Sequence, residues 1–388
     1  YGGDTVRVFE QIFTYVIHVG RYIVFPLLFF SIVIGTFELW AEKNFVRVYG
    51  LMFAYSFVSA IILATLGTAV IVMIFPGPVP IIIEEAEIYL PPDLNDQFFR
   101  IAPTNLFSIF TESGNFLLPL IVFSVAFGIA LFHKRTFSEP LTETFESISH
   151  ILYGINRFIL EILSFGIFLM SAYRIVQLKG IADFELFSRF LLIILGTTLL
   201  IIFVIIPGLL YVLGNKRHNP FIWLFATLPA AISAVFSGDN YFTIGSTIVV
   251  LNENMGLEKK ITPSITALAA IFSRSGIAMI TSMSFILILR SYSSLEITFL
   301  QYIWVIGTSV LISFMLGATP SNGIMVSLAI ISAWNVQGLE ESFLILLPIA
   351  PVLASLSVLI DTIVILFNCQ LIMYRETKTM PGKLSDFQ

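Results

Sequence analysis

A single cysteine, Cys369, occurs in the whole sequence. That excludes an internal disulfide and a multi-cysteine metal or iron–sulfur site. Histidine is nearly as rare. His18, His133, His150 and His218 stand far apart and share no metal-ligand spacing. Charge is scarce as well, at 12% of 388 residues, where soluble domains carry about 25%. The net charge of −5 comes with no basic tract, so nucleic acid is not an expected partner. No nucleophile–base pair, phosphate loop or metal signature is visible, and an enzyme is not expected.

What fills the sequence is apolar. Hydrophobic residues make up 57%, and the mean hydropathy is +0.95. The runs are continuous rather than alternating, which specifies an all-α integral membrane protein whose first partner is the lipid bilayer. The chain begins at Tyr1 rather than methionine, so an upstream piece carrying a signal or a first transmembrane helix is expected. Apolar segments run from Phe9 to Trp40, with Glu10, His18 and Arg21 in the first half, and from Val48 to Ile83, which is free of charge. Pro76-Gly-Pro-Val-Pro80 stops the second helix. An acidic loop follows, then the turn Ala102-Pro-Thr-Asn105 and spans at Phe116–Phe132, Phe145–Val176 and Phe190–Leu213. Arg157 and Glu161 sit at i,i+4 and pair on one helix face, a structural contact. Eleven basic residues, from Lys43 and Arg47 to Arg375, Lys378 and Lys383, fall in connections on one side; Arg7, Arg100, Arg174, Lys179 and Arg290 fall on the other. That asymmetry predicts a multi-pass protein with a cytoplasmic C-terminus.

Two segments do not fit a full crossing. Asn219–Leu251 is broken at Phe236-Ser-Gly-Asp-Asn-Tyr241. Ile297–Leu339 has no charge in 43 residues and is broken at Leu316-Gly-Ala-Thr-Pro-Ser-Asn-Gly323. The apolar pieces after each break are short of the roughly 20 residues that a crossing helix needs. Both read as re-entrant helical hairpins whose tips meet at mid-membrane; a tight-turned pair of full spans is the alternative for the second. A long helix follows each hairpin. Ile261–Leu289 follows the first, and its one charged residue, Arg274, falls near its middle between Ser273 and Ser275-Gly276. Phe343–Tyr374 follows the second and carries Asp361 and Asn368, seven apart and so on one face. A guanidinium at mid-depth costs about 2.5–3.5 kcal/mol on insertion scales. It requires a partner, a wet cavity or a bound anion. Hairpin-plus-helix occurring twice, from opposite sides, is an inverted repeat, and such repeats place a transport site at their interface.

This order of elements resembles the glutamate transporter family, the dicarboxylate/amino acid:cation symporters, over nearly the whole chain. Ile101-Ala-Pro-Thr-Asn105 resembles the family's Val-Pro-Thr-Asn turn, Asn254-Met-Gly256 its Glu-Met-Gly, and Gly317-Ala-Thr-Pro-Ser-Asn-Gly323 its second hairpin tip. The resemblance implies a glutamate-transporter-like fold: residues 1–45 a scaffold helix, 46–77 a transport-domain helix, 78–180 an outer loop and two scaffold helices, and 181–388 the rest of the transport domain. It implies a homotrimer in the plasma membrane, of the bacterial inner-membrane type. The implied activity is elevator-type symport of an acidic amino acid, a dicarboxylate or a related small anionic solute. No cofactor is implied beyond a coupling cation, Na+ or H+.

The motifs that recognise substrate and sodium in the family differ here. Ser237-Gly-Asp-Asn-Tyr-Phe242 stands at the serine-rich first tip. Ser273-Arg-Ser-Gly-Ile277 stands where the family has Asn-Met-Asp-Gly-Thr, with only Gly276 kept. The last helix has no arginine before Arg375. A fixed cation repels sodium by Coulomb's law, so Arg274 reads as the replacement for a coupling cation and at least one sodium site as lost. Arg274 balances Asp361 or Asp239, or receives the carboxylate of a solute. The alternative is a non-transporting or channel-like relative whose site a permanent Arg274–Asp pair fills. The candidate site is therefore Ser237, Gly238, Asp239 and Asn240; Ser273, Arg274, Ser275 and Gly276; Thr319, Pro320 and Ser321; and Asp361 and Asn368. Asp239 has three open readings: cap of the following half-helix, ligand, or coupling group. Thr319, Ser321 and Asn322 either shape their turn or touch solute. Glu10 and Arg21 read as scaffold contacts.

Overall fold

A computed structural model of the chain describes residues 3–79, 105, 107–111, 117–181, 184–213, 219–292, 297–316, 323–335 and 341–376. Among the described residues there is no strand, and seven helical stretches are long and apolar enough to cross a membrane. The expected segment Phe9–Trp40 is two helices, α1 (Gly3–Arg21) and α2 (Val24–Ala41), broken at Tyr22-Ile23 beside Arg21. Then come α3 (Phe45–Met73), α4 (Leu118–His133) and α5 (Arg135–Lys179), a 45-residue helix with Pro140 inside it. Phe184–Leu213 is α6, which widens into a π turn at Ile201–Ile205.

The first broken segment folds back on itself as α7 (Pro220–Ser237) and α8 (Asn240–Val249). Its ends are encoded locally. Asn219 Oδ1 accepts from the Phe221 N–H at 3.0 Å, and Pro220 occupies the first turn. Gly238 then closes α7 in the left-handed region, at φ +60, with its N–H on Ala234 O at 2.9 Å. The second broken segment gives α11 (Phe299–Met315), opened by a Thr298–Gln301 capping box, and α12 (Gly323–Trp334). Helix α8 continues as a π turn through Val250–Asn254, so at 1.5 Å per residue this limb is about 22 Å long and α12 about 18 Å, both under a hydrocarbon core of about 30 Å. Between the hairpins lie α9 (Thr262–Phe272) and α10 (Ser275–Tyr292). After the second, a 3-10 stretch (Ser342–Ile349) leads into α13 (Ala350–Glu376).

Burial divides these helices by role. In the most apolar 18 residues of Thr262–Tyr292, 94% are buried; in those of Ser138–Lys179, only 22% are. The α9–α10 rod is enclosed by α2, α3, α11, α12 and α13. Helix α5 presents Phe158, Ile162, Phe165 and Phe168 outward. One large hydrophobic cluster runs through α2, α3, α4, α6, α9, α10, α12 and α13. A smaller one joins Val16 and Ile17 of α1 and Leu163 and Met170 of α5 to Phe242 of α8. There α1 comes so close that a Cβ on Gly20 would lie 2.3 Å from the Phe242 ring. Hairpin α7–α8 therefore bears on α1 and α5 on one side and on the α9–α10 rod and α13 on the other.

Candidate functional site

The rod breaks where its charge lies. Helix α9 ends at Phe272, Ser273 leaves the helical region (φ −90, ψ 64), and α10 starts at Ser275. Helix starts leave N–H groups without intrahelical acceptors, and a carboxylate is favourable there. Asp361 of α13 fills that role. Its Oδ1 accepts from the Gly276 N–H at 2.6 Å, and the Ile277 N–H and the Asn240 side chain also face the carboxylate. Only glycine permits this approach, since a Cβ on Gly276 would lie 2.3 Å from Ser357 O and 3.0 Å from Asp361 Oδ1. Arg274 and Asp361 are 1% and 0% exposed, and the Arg274 charge acts on Asp361 and on the buried Tyr241 hydroxyl. Two turns further along α13, Asn368 Nδ2 donates to Ser273 Oγ at 3.3 Å, and Ser59 Oγ donates to Asn368 Oδ1 at 3.4 Å.

A second centre lies at the tip of hairpin α7–α8. Asp239 caps α8, accepting from the Phe242 N–H at 2.8 Å. Its carboxylate is also held in a two-point ion pair by Arg21 of α1, whose guanidinium lies 5.6 Å from the centre of the Tyr241 ring. Arg174 of α5 grips the other half of the tip. Its Nε and Nη2 donate to the Phe236 and Ser237 carbonyls at 3.1 and 2.7 Å, the terminal carbonyls of α7. A cavity of about 450 Å3 opens beside this centre, lined by Arg21, Arg174, His18, Gln177 and the tip residues Ser237–Asp239.

The predicted residues thus separate into two groups. Asn240, Arg274, Gly276 and Asp361 come together, with Ser273 and Asn368 next to them. Ser237, Gly238 and Asp239 face the α1–α5 side. Of the two aspartates, Asp361 lies in the field of Arg274, while Asp239 is held by Arg21, expected from sequence only as a scaffold contact. Thr319, Pro320, Ser321 and Asn322 lie outside the described residues. The sequence marks Arg174 only as a basic residue of one membrane side. An aspartate alone in an apolar tip calls for a cation, and that demand was the available pointer to Arg21.

Other charges bridge the same two sides at the far end. Arg157 is 3.8 Å from Glu161, as the i,i+4 spacing predicts, and also reaches Glu253 at the end of the hairpin at 3.5 Å. Lys260 pairs with Glu146 at 2.8 Å and with Glu38 at 3.4 Å. Among the described residues no group of three or more His, Cys, Asp or Glu could hold a metal ion. At Asp361 a backbone N–H and the Arg274 charge face the carboxylate, and its Oδ2 has no hydrogen-bond partner among the described residues.

Apolar rods of crossing length, two short-limbed helical hairpins and a broken, charged helix define a multi-pass α-helical membrane protein. The family model for the sodium:dicarboxylate symporter family matches residues 1–369, and the chain belongs to that family. It is 26% identical over 218 residues to bovine excitatory amino acid transporter 1 (Bos taurus), covering 56% of this chain and 40% of that protein. It is 22% identical over 239 residues to an excitatory amino acid transporter of Caenorhabditis elegans, 61% of this chain and 47% of that protein. It is 22% identical over 197 residues to the proton/sodium-glutamate symport protein of Geobacillus stearothermophilus, 51% and 45%. The aligned stretch thus spans less than half the length of each of these relatives.

Proposed function

We propose that the protein is a secondary active transporter of a small anionic solute, an acidic amino acid or a dicarboxylate, with altered cation coupling. Helices α3 and α6, both hairpins, the α9–α10 rod and α13 form the moving unit. Helices α1, α2, α4 and α5 form the scaffold of a homotrimer, and the outward apolar face of α5 supports that assignment. The hairpins are re-entrant from opposite sides, the C-terminus is cytoplasmic, and the membrane is a plasma membrane of the bacterial inner-membrane type. The observation that carries the reading is the buried Arg274 charge acting on the buried Asp361 at the helix break, with Asn240 of the first tip facing the carboxylate. In this position Arg274 supplies permanently the positive charge that a coupling cation would bring.

A second reading keeps the fold and removes transport: the pair plugs the old site of a non-transporting or channel-like relative. The near-complete burial of both groups and the close fit of Gly276 against α13 favour it. Uptake separates the two. Proteoliposomes are loaded under sodium, proton or no imposed gradient and offered labelled aspartate, glutamate and succinate. Gradient-driven accumulation of one of them is the expected result. No accumulation under any gradient overturns the transporter reading and leaves the plugged relative.

A further inference from the structure

Arg174 differs from the ion-paired cations around it. Arg21 has Asp239, Arg157 has Glu161 and Glu253, and Lys260 has Glu38 and Glu146. The hydrogen-bond partners of Arg174 are all neutral: the Phe236 and Ser237 carbonyls and Gln177 Oε1 at 3.0 Å. It forms no ion pair with a described residue. A guanidinium has five N–H donors, and these bonds engage three. The Asp239 charge acts on Arg174 from nearby without an ion pair, and the remaining N–H donors of a largely buried guanidinium favour a second anion beside it.

Two further observations meet at the same point. The Ser355 hydroxyl of α13 is 7% exposed and has no hydrogen-bond partner. A Cβ on Gly238 would lie 2.4 Å from Arg174 Nη2 and 3.2 Å from Ser355 Oγ, so guanidinium and orphan hydroxyl flank one spot at the hairpin tip. From there an apolar cavity of about 190 Å3 runs between α5, α7 and α13, walled by Ile175, Leu178, Val235, Phe236, Val352 and Leu356. Arg174, Gln177 and Pro351 line both this cavity and the polar one.

The geometry points to a binding site for a monocarboxylate with an unbranched apolar chain, the anion of a medium-chain fatty acid. Its carboxylate accepts from Arg174 and Ser355, and its chain lies in the apolar cavity. Ser355 is too buried for a bulky phosphodiester head, so the head is a bare carboxylate. The site joins α5 to the first hairpin and to α13, and is separate from the Arg274–Asp361 centre.

Labelled decanoate is titrated onto the purified full chain in nanodiscs of phosphatidylcholine, with empty nanodiscs subtracted. We expect saturable binding that unlabelled decanoate competes for and that decanoate methyl ester and 1-decanol do not. Ser355→Ala and Arg174→Gln each weaken it, the latter by about tenfold or more. Ile175→Trp, at an exposed position in the wall of the cavity, blocks it without touching the charges and covers the case in which Arg174→Gln fails to fold. Equal competition by ester and acid, or unchanged affinity in Ser355→Ala together with Ile175→Trp, overturns the assignment. Loss of binding when phosphatidylglycerol replaces part of the phosphatidylcholine also overturns it, in favour of an anionic phospholipid. None of these readouts depends on transport.

Discussion

The two guanidinium–carboxylate centres of this protein differ in what surrounds them. Arg274 and Asp361 are sealed among α8, α10 and α13, and Asp361 takes a hydrogen bond from a helix N-terminus as well as the field of the guanidinium. Arg21 and Asp239 meet across the boundary between α1 and the first hairpin, with the Arg21 side chain 18% exposed and a cavity beside it. The first centre ties α8, α10 and α13 to one another. The second ties the hairpin to α1. A sealed pair is costly to break, because one charge is left dry; a pair at a wet boundary is not. In the proposed transport cycle, one centre of each kind keeps the moving unit rigid and still lets it part from the scaffold.

Substitutions test that contrast. The largest effect is expected at the sealed centre. Asp361→Leu or Arg274→Met alone costs about 3–5 kcal/mol of unfolding free energy, and the double substitution costs much less than the sum. Chemical unfolding of the full chain in detergent measures both. At the boundary centre, Asp239→Asn keeps a cap on α8 but loses the ion pair. It and Arg21→Gln are each expected to cost about 1.5–3 kcal/mol, with little added by the second change. An additive result there means that the two side chains do not act as a pair.

Gly238→Ala comes next. It places a Cβ at φ +60 and against the Arg174 guanidinium, for an expected loss of about 1–2 kcal/mol. Lys260→Gln is the smallest, about 0–1 kcal/mol, because its ion pairs are exposed and screened. The hydrogen bond to Glu146 outweighs partial desolvation and holds the Lys260 ammonium above its ordinary value of 10.5. The stabilisation is then complete below that value and fades only as the pH rises through the raised one. The difference between wild type and Lys260→Gln should therefore stay constant through neutral pH and shrink only in alkali.

Much of the architecture was legible because membrane segments announce themselves by length and continuity. The two interrupted segments read correctly as helix pairs, since Gly238 and Asp239 are a helix stop and a helix start that any sequence reader can see. That Arg274 needs a compensating neighbour was also legible, because a charge alone in an apolar rod cannot face lipid. The break at Tyr22-Ile23 was not, because nothing in that dipeptide interrupts apolar periodicity. The choice of partner for each aspartate was hidden as well. Arg21 and Arg174 reach the first tip from helices 218 and 63 positions away in the chain, and only packing brings them there. Ser355 carried no signal at all: a serine in an apolar helix becomes informative only when its surroundings leave the hydroxyl without a partner.

In the proposed function a permanent guanidinium takes the place of a coupling cation. Sodium dependence of solute uptake, compared in proteoliposomes of wild type and Arg274→Met, tests it most directly. A sodium dependence that changes with the substitution is the result predicted here. The same sodium dependence in both proteins contradicts the claim.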